Sequence, residues 1–217
     1  MSEVNQRGKY LGFVAHEIKN PLATALWSVD LLKRMENEGR AGPRADKIID
    51  ASLRALRRMR RLVEDYFTIE RLRQQVLELR MEALTAQALI DGALTHLAEK
   101  EGLPRERFAT DVSEHLIVRG DAELLRRALR AVLETMARAA PEARISLVGR
   151  AADGEVRLVL RGEGLPRPLM PAPPEERASG DPAGAVLGFS LCESVLAAHG
   201  GGIEETEEGL LLRLPRA

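Results

Sequence analysis

Cys192 is the single cysteine among 217 residues. No internal disulfide can form, and the chain fits a reducing compartment. Aromatic residues make up only 3% of the chain, which argues against a base-stacking platform for nucleic acid. Neither sign of charge prevails, with 32 basic and 33 acidic residues and a formal net charge of -1, so no bulk field draws the chain to nucleic acid or to an anionic membrane. No apolar run approaches the roughly 18 residues of a membrane-spanning helix. Met1–Tyr10 is polar, unlike a secretory leader. The expectation is a cytoplasmic protein with no membrane and no nucleic acid among its partners. His96, His115 and His199 have no ligand spacing among them, so no metal site is expected.

A hydrophobic fraction of 45% is enough for an ordinary core in one domain or two small ones. The chain divides near residue 76, into 1–76 and 77–217. In Lys9–Glu36 the residues Leu11, Val14, Ile18, Leu22, Ala25, Val29 and Leu32 recur at three- and four-residue steps, the stripe of an amphipathic helix. Asn37–Arg44 holds two glycines and a proline, a stop and a turn. A second periodic run follows through Ile49, Ser52, Leu56, Met59, Val63, Tyr66 and Ile69, ending near Gln75. Two long helices joined by a short loop form an antiparallel hairpin. Each stripe is then covered only in part by the other helix, and two hairpins face to face make a four-helix bundle. This predicts a homodimer, with fold-back of the C-terminal portion onto the hairpin as the alternative.

Residues 77–217 have a mixed rhythm. Leu77–Met81 reads as a strand and Ala86–Glu101 as a helix closed by Gly102-Leu-Pro104. Phe108–Val112 and Leu116–Val118 are short strand candidates, and Asp121 caps a helix running to about Ala140. Arg144–Arg150 and Glu155–Leu160 alternate around Asp153-Gly154, the signal of a type I′ hairpin. Pro166–Gly184 reads as a loop and Ala185–His199 as a helix. Ile203–Thr206 with Leu210–Leu214 completes a last hairpin. Strands and helices mixed in this way give an α+β layer pair.

The segment that carries chemistry is Phe13-Val-Ala-His-Glu-Ile-Lys-Asn-Pro-Leu22. At 100° per residue His16 falls about 160° from the mean of the apolar stripe, facing away from the bundle core. Asn20 lies one turn later on nearly the same side, and Glu17 sits beside the histidine. A neutral imidazole is a competent nucleophile, and a neighbouring carboxylate can orient it or take its proton. A single solvated surface histidine is the commoner fate of such a residue. The whole string removes that ambiguity. His-Glu-Ile-Lys-Asn-Pro-Leu on the first helix of a hairpin resembles the H-box of sensor histidine kinases, in their dimerisation and phosphotransfer domain.

The resemblance extends over nearly the whole chain. Leu77–Ala217 has the element order of the GHKL-type ATP-binding domain that follows the hairpin in those kinases. Val118-Arg-Gly-Asp121 with Leu125, Ala128, Leu129 and Val132 resembles the entry to its N-box helix. Gly162-Glu-Gly-Leu-Pro166 resembles the G1 turn, and Leu187–Leu191 with Ala198-His-Gly-Gly201 resembles the G2 helix and its exit. The resemblance implies His16 as phosphoacceptor, with Glu17 and Asn20 beside it.

This chain departs from the family at the positions that would hold nucleotide. The N-box asparagines that order magnesium and phosphate correspond to Ala131 and Thr135. The aspartate that reads the adenine amino group corresponds to Leu160, or to Arg161 in a register one residue along. One glycine of the G2 start has become Val186. Thr135, Leu160, Gly162, Gly164 and Gly188 thus outline a degenerate ATP site, expected not to function. An unanswered adenine donor costs about 1–3 kcal/mol, and losing the metal-ordering amides removes electrostatic help for phosphoryl transfer.

The expected function is therefore that of a dimeric histidine phosphotransferase on a kinase-like scaffold. It would pass a phosphoryl group between His16 and the aspartates of response-regulator receiver domains, with an upstream kinase as a further possible partner. No cofactor is expected on this chain, magnesium being supplied by the receiver. Two alternatives stay open. One is an active kinase with a divergent pocket. The other is a non-catalytic pseudokinase or phosphatase module, because Glu17 and Asn20 match the Glu-x-x-Asn pattern that positions water in such kinases. The run Arg54, Arg57, Arg58, Arg60 and Arg61 reads as a solvated face, or as a surface for an acidic receiver. Lys19 is either solvated or placed to neutralise a phosphoryl group. Trp27 and Phe13 read as packing or dimer-seam residues, and Cys192 as a small buried hydrophobe.

Overall fold

The computed structural model describes residues 3–35, 42–165, 167–170 and 183–217; the side chains of 3–14, 16, 17 and 183–185 lie outside the described residues. Two compact units result, one built on the N-terminal helices through Phe67, to which Ala183 also belongs, and one built on the remaining described residues from Thr68. They part within a helix, so its last turns belong with the second unit.

The first unit is helical. Helix α1 spans Glu3–Arg34 and α2 spans Pro43–Arg73. Proline at the first position of α2 is pre-set for a helix and gives up only an N–H that has no partner there. Within α1, Pro21 has no N–H to offer the Glu17 carbonyl, so the helix loses one bond just beyond His16. The single apolar stripe expected on each helix proves to be two. On α1, Pro21, Ala25 and Ser28 are buried, whereas Leu22, Leu26 and Val29 stay 42–62% exposed. On α2, Ser52, Ala55 and Leu62 are buried while Ile49, Leu53, Leu56, Val63 and Phe67 stay exposed. One neighbouring helix covers a narrow arc, and the apolar surface here is wider than that.

The second unit is a sheet covered on one face by three helices. Strands β2 (Phe108–Val112), β4 (Ile145–Ala152), β5 (Glu155–Gly162), β7 (Gly209–Pro215) and β6 (Gly202–Thr206) lie side by side in that order. Only the β2–β4 pair is parallel. A two-stranded antiparallel sheet joins β1 (Glu82–Thr85) to β3 (Ile117–Gly120). Helices α3 (Ala86–Glu101), α4 (Ala122–Ala139) and α5 (Ala183–Ala198) supply the opposing layer. The alternation of β4, β5 and β7 sends Ile145, Leu147, Val156, Leu158, Leu160, Leu210, Leu212 and Leu214 into the core, where Leu94, Leu97, Leu125, Leu133, Met136 and Leu191 meet them. Ser146, Val148, Arg157, Val159 and Arg161 take the opposite face.

Local chemistry sets the boundaries. Thr85 caps α3 by accepting the Ala88 N–H at 3.2 Å, and Gly102 ends it in the left-handed region at φ 68. Asp121 caps α4 through Oδ1, which accepts the N–H groups of Glu123 and Leu124, both at 3.1 Å. Asp153 and Gly154, at φ 52 and 79, form the tight β4–β5 turn that the sequence predicts. Leu77–Met81 is not a strand, contrary to the pattern, and pairing starts only at Glu82. The reason is local: the Arg80 N–H is taken by Asp121 Oδ2 at 3.1 Å rather than by a neighbouring strand. The predicted strand over Leu116–Val118 is shifted onto Ile117–Gly120 because Leu116 O serves as acceptor for the first N–H of α3. Most of the predicted loop over Pro166–Gly184 lies outside the described residues.

Candidate functional site

Helix α1 carries His16, Glu17 and Asn20 on consecutive turns. The side chains of His16 and Glu17 lie outside the described residues. Around them Ala15, Lys19 and Asn20 are exposed and Ile18 is half-buried. Asn20 O accepts the Thr24 hydroxyl at 3.2 Å, while the Asn20 amide stands at the exposed surface. An amide displayed one turn from a histidine can bind an oxyanion or orient water beside it.

The positions that correspond to the family's nucleotide site divide into three places. Leu160 is fully buried in β5, paired across the sheet with Leu147 and Leu210. It is a core side chain with no acceptor to offer. Arg161 points to the opposite face, where it pairs with Glu208. A carboxylate is therefore missing in either register. Ala131, Thr135 and Gly188 come together where α5 lies on α4: a Cβ on Gly188 would stand 2.8 Å from Thr135 Oγ1 and 3.1 Å from Ala131 O. The Thr135 hydroxyl donates to Ala131 O at 2.8 Å, so its proton is spent inside its own helix. Val186 is buried in α5, with 1% of its surface exposed.

Gly162 and Gly164 flank the turn after β5. Gly164 takes φ 74, a left-handed conformation that suits glycine, and Leu165 folds back on Gly162. Gly162 lines a cleft of about 260 Å³ with Arg144, Arg161 and Arg167; Gly164 lines a second, of about 780 Å³, with Ala109, Pro141 and Glu142. Thr135, Leu160 and Gly188 line neither of these two clefts.

Two further arrangements have no signature in the sequence. His199 is 4% exposed. Its Nδ1 donates to Val195 O at 2.7 Å and its Nε2 accepts the Asp121 N–H at 2.9 Å. The imidazole joins the end of α5 to the cap of α4, and is a structural group rather than a ligand. Arg107 closes the other end of α4, its Nη2 donating to Ala137 O at 3.0 Å, Ala140 O at 2.8 Å and Ala143 O at 3.2 Å. Both contacts join residues 30 or more apart, beyond the reach of a local pattern. Cys192 is fully buried, and burial pushes its thiol well above the ordinary range. Among the described residues no group of three or more His, Cys, Asp or Glu could hold a metal ion. Nor is any helix among them long and apolar enough to cross a membrane.

Residues 6–75 match the His Kinase A (phospho-acceptor) domain. The match contains His16, Glu17 and Asn20. Residues 6–75 thus carry the phosphoacceptor domain of histidine kinases. Among curated proteins it is 25% identical over 205 residues to the sensor protein DivL of Caulobacter vibrioides, and 26% identical over 204 residues to the nitrogen regulation protein NtrY of Azorhizobium caulinodans. These alignments cover 92% and 88% of this chain but 26% of each relative, so the chain spans about a quarter of their length. Among solved structures, the histidine kinase AdeS of Acinetobacter baumannii superposes with a TM-score of 0.66 at 16% identity, covering 92% of this chain and 97% of that one. The kinase ThkA in complex with the response regulator TrrA superposes at 0.57 and 20% identity, covering 99% of this chain and 63% of that one. At such identities the likeness is one of fold. That fold is the helical phosphoacceptor region followed by an α+β domain like the catalytic domain of these histidine kinases.

Proposed function

We propose that this chain is a dimeric histidine phosphotransferase on a kinase-like scaffold, exchanging a phosphoryl group between His16 and the aspartates of response-regulator receivers without using ATP. The observation that carries the reading is the contrast between its two halves. The phosphoacceptor string is intact on α1, whereas the position that should accept the adenine amino group is Leu160, a core residue with none of its surface exposed. Thr135 and Ala131 in place of amides, and the close seating of Gly188 on Thr135, point the same way. The residues present do not fit a nucleotide and magnesium held in the family's manner.

In the proposed transfer, the unprotonated nitrogen of a neutral His16 imidazole attacks the phosphorus of a receiver's aspartyl phosphate. An N–P bond forms, the acyl P–O bond breaks, and the aspartate leaves as carboxylate. The phosphorylated ring then loses its remaining N–H proton, for which the adjacent Glu17 carboxylate is the base at hand. Lys19, exposed one turn of backbone away, adds positive charge near the phosphoryl oxygens. Return to a second receiver is the reverse.

Dimerisation is supported by the apolar arcs that stay open on both helices, Leu22, Leu26 and Val29 on α1 and Ile49, Leu53, Leu56, Val63 and Phe67 on α2. Contiguous apolar surface of this kind marks an interaction face, and pairing two such helix pairs closes a bundle. ThkA, a fold relative, is known in complex with a response regulator, which supports receivers as partners of this chain.

A second reading has one observation of its own. Asn20 exposes its amide one turn from His16, as a residue orienting hydrolytic water would. On this reading the chain dephosphorylates a receiver rather than storing its phosphate. Incubating the protein with labelled ATP, and separately with labelled phospho-receivers, distinguishes the three cases. Label on His16 from a receiver but not from ATP supports transfer. Release of inorganic phosphate that survives His16→Ala supports the phosphatase. Label from ATP would overturn both.

A further inference from the structure

Residues 167–170 are tied to the end of the β6–β7 hairpin by a reciprocal set of polar contacts. Nη1 and Nη2 of Arg167 donate to two successive carbonyls, Thr206 O and Glu207 O, each at 2.8 Å. In the other direction Glu205 Oε2 accepts two successive backbone N–H groups, from Leu169 at 2.9 Å and Met170 at 3.1 Å. Glu205 Oε1 lies 3.6 Å from Arg167 Nη1, so the two charges also face one another. The glutamate side chain is 19% exposed, and Leu169 and Met170 are half-buried.

The hairpin end is fixed independently of this segment. The Thr206 hydroxyl donates to Gly209 O at 3.1 Å, and a Cβ on Gly209 would collide with Leu160 O, so the turn is seated on β5. Its contacts with the segment select a particular chemistry. A guanidinium holds two N–H groups at a fixed spacing and can span successive carbonyls, which the point charge of an ammonium cannot. The Glu205 carboxylate reads backbone N–H groups two and three residues beyond the arginine and calls on no side chain there. Pro168, which has no N–H, stands at the position from which none is asked. The segment is held by polar contacts, and the Arg167 side chain is 49% exposed. Such contacts are individually weak in water, so the segment can be exchanged for another of the same kind.

We propose that the end of the β6–β7 hairpin is a docking seat for an extended peptide led by arginine, and that Arg167–Met170 occupies it as an autoinhibitory contact. A partner with an arginine followed by N–H groups two and three residues on displaces the strap and takes its place. Displacement withdraws Arg167 and Leu169 from the cleft that they line beside Gly162, so docking opens that cleft. The proposal stands whichever reaction His16 carries out.

The test is amide exchange at Leu169 and Met170 in the full chain, with titration of acetyl-Arg-Pro-Leu-Met-amide followed by NMR and circular dichroism as the check of folding. In the wild type both amides are expected to exchange about tenfold more slowly than in the free peptide. Arg167→Ala and Glu205→Gln are each expected to remove that protection, and Arg167→Lys not to keep it. The peptide is expected to bind Arg167→Ala saturably. Its binding to the wild type is expected to be about tenfold weaker, because the tethered strap competes at an effective concentration on the order of millimolar. Adding Glu205→Gln to Arg167→Ala is expected to abolish binding. Glu204→Gln, on the opposite face of β6 and paired with Arg213 at 3.8 Å, is expected to change nothing. Unprotected amides in the wild type overturn the strap. Protection lost in Arg167→Ala without peptide binding, or equal binding of a peptide with lysine in place of arginine, overturns the seat. Release of the strap by Glu204→Gln as well would reduce the effect to hairpin charge and overturn the assignment to Glu205.

Discussion

Gly188 lies against Thr135 so closely that a side-chain carbon on the glycine would stand 2.8 Å from the threonine Oγ1. Alanine at 188 must push α5 away from α4, because Ala131 O lies 3.1 Å off on the same side. Overpacking of this order costs about 1–3 kcal/mol. Gly188→Ala is expected to lower the denaturant midpoint correspondingly, and pairing it with Thr135→Ala to recover part of the loss. Full additivity of the two would show that the helices do not meet there.

Nucleotide chemistry is the next measurement. Calorimetric titration with magnesium ATP is expected to give no binding heat, and the protein no label from ATP. Thr135→Asn, which restores the family's amide, is expected to change neither, because Leu160 still presents no carboxylate to adenine. Micromolar binding by the wild type would sink the ATP-independent reading.

His16→Ala is expected to abolish label taken from a phospho-receiver while leaving the melting temperature within a degree or two, a change on the side that the helical wheel sets opposite the apolar stripe being worth about 0.5 kcal/mol or less. Bound label in the wild type is expected to be lost in acid and kept in alkali, as an N–P bond is. Asn20→Ala is the discriminating partner: unchanged labelling with slower loss of phosphate would assign it to water.

His199 uses both ring nitrogens, toward Val195 O and the Asp121 N–H. Replacing it by alanine leaves a buried backbone N–H without an acceptor, a loss of about 1–3 kcal/mol. His199→Ala is therefore expected to destabilise the second unit while leaving transfer to His16 measurable. Chemical denaturation followed by labelling reads both effects.

Cys192 is expected to resist thiol reagents at neutral pH until the chain unfolds, because burial holds its thiol protonated. With the folded value raised above the unfolded one, the associated stability is full below the unfolded thiol range of roughly 8.5 and falls as pH rises above it. Cys192→Ala is expected to remove that alkaline dependence. Rapid native-state labelling would contradict the buried placement.

The positions of most helices and strands were legible in the sequence because each rests on local chemistry. The caps at Thr85 and Asp121, the left-handed Gly102 and the Asp153-Gly154 turn act within a few residues of themselves. The H-box was legible for the same reason: its residues lie on successive turns of one helix. What misled was also local. Leu77–Met81 alternates like a strand, yet Arg80 bonds to Asp121, 41 residues on. Periodicity predicts one face each for the stripes of α1 and α2, because it reports that a residue is apolar but not which neighbour covers it.

The amino-acid order by itself determined the H-box string, the change from helical to mixed rhythm and the presence of Ala131, Thr135 and Leu160 where the resembled family has asparagines and an aspartate, since side-chain chemistry and short-range hydrogen bonding need no partner to be recognised. Tertiary structure decided that Leu160 belongs to the core, that Gly188 rests on Thr135 and that His199 ties α5 to α4. It also decided which half of each helical stripe remains open. These are contacts between segments far apart in the chain, and only the packing of one layer on another fixes them.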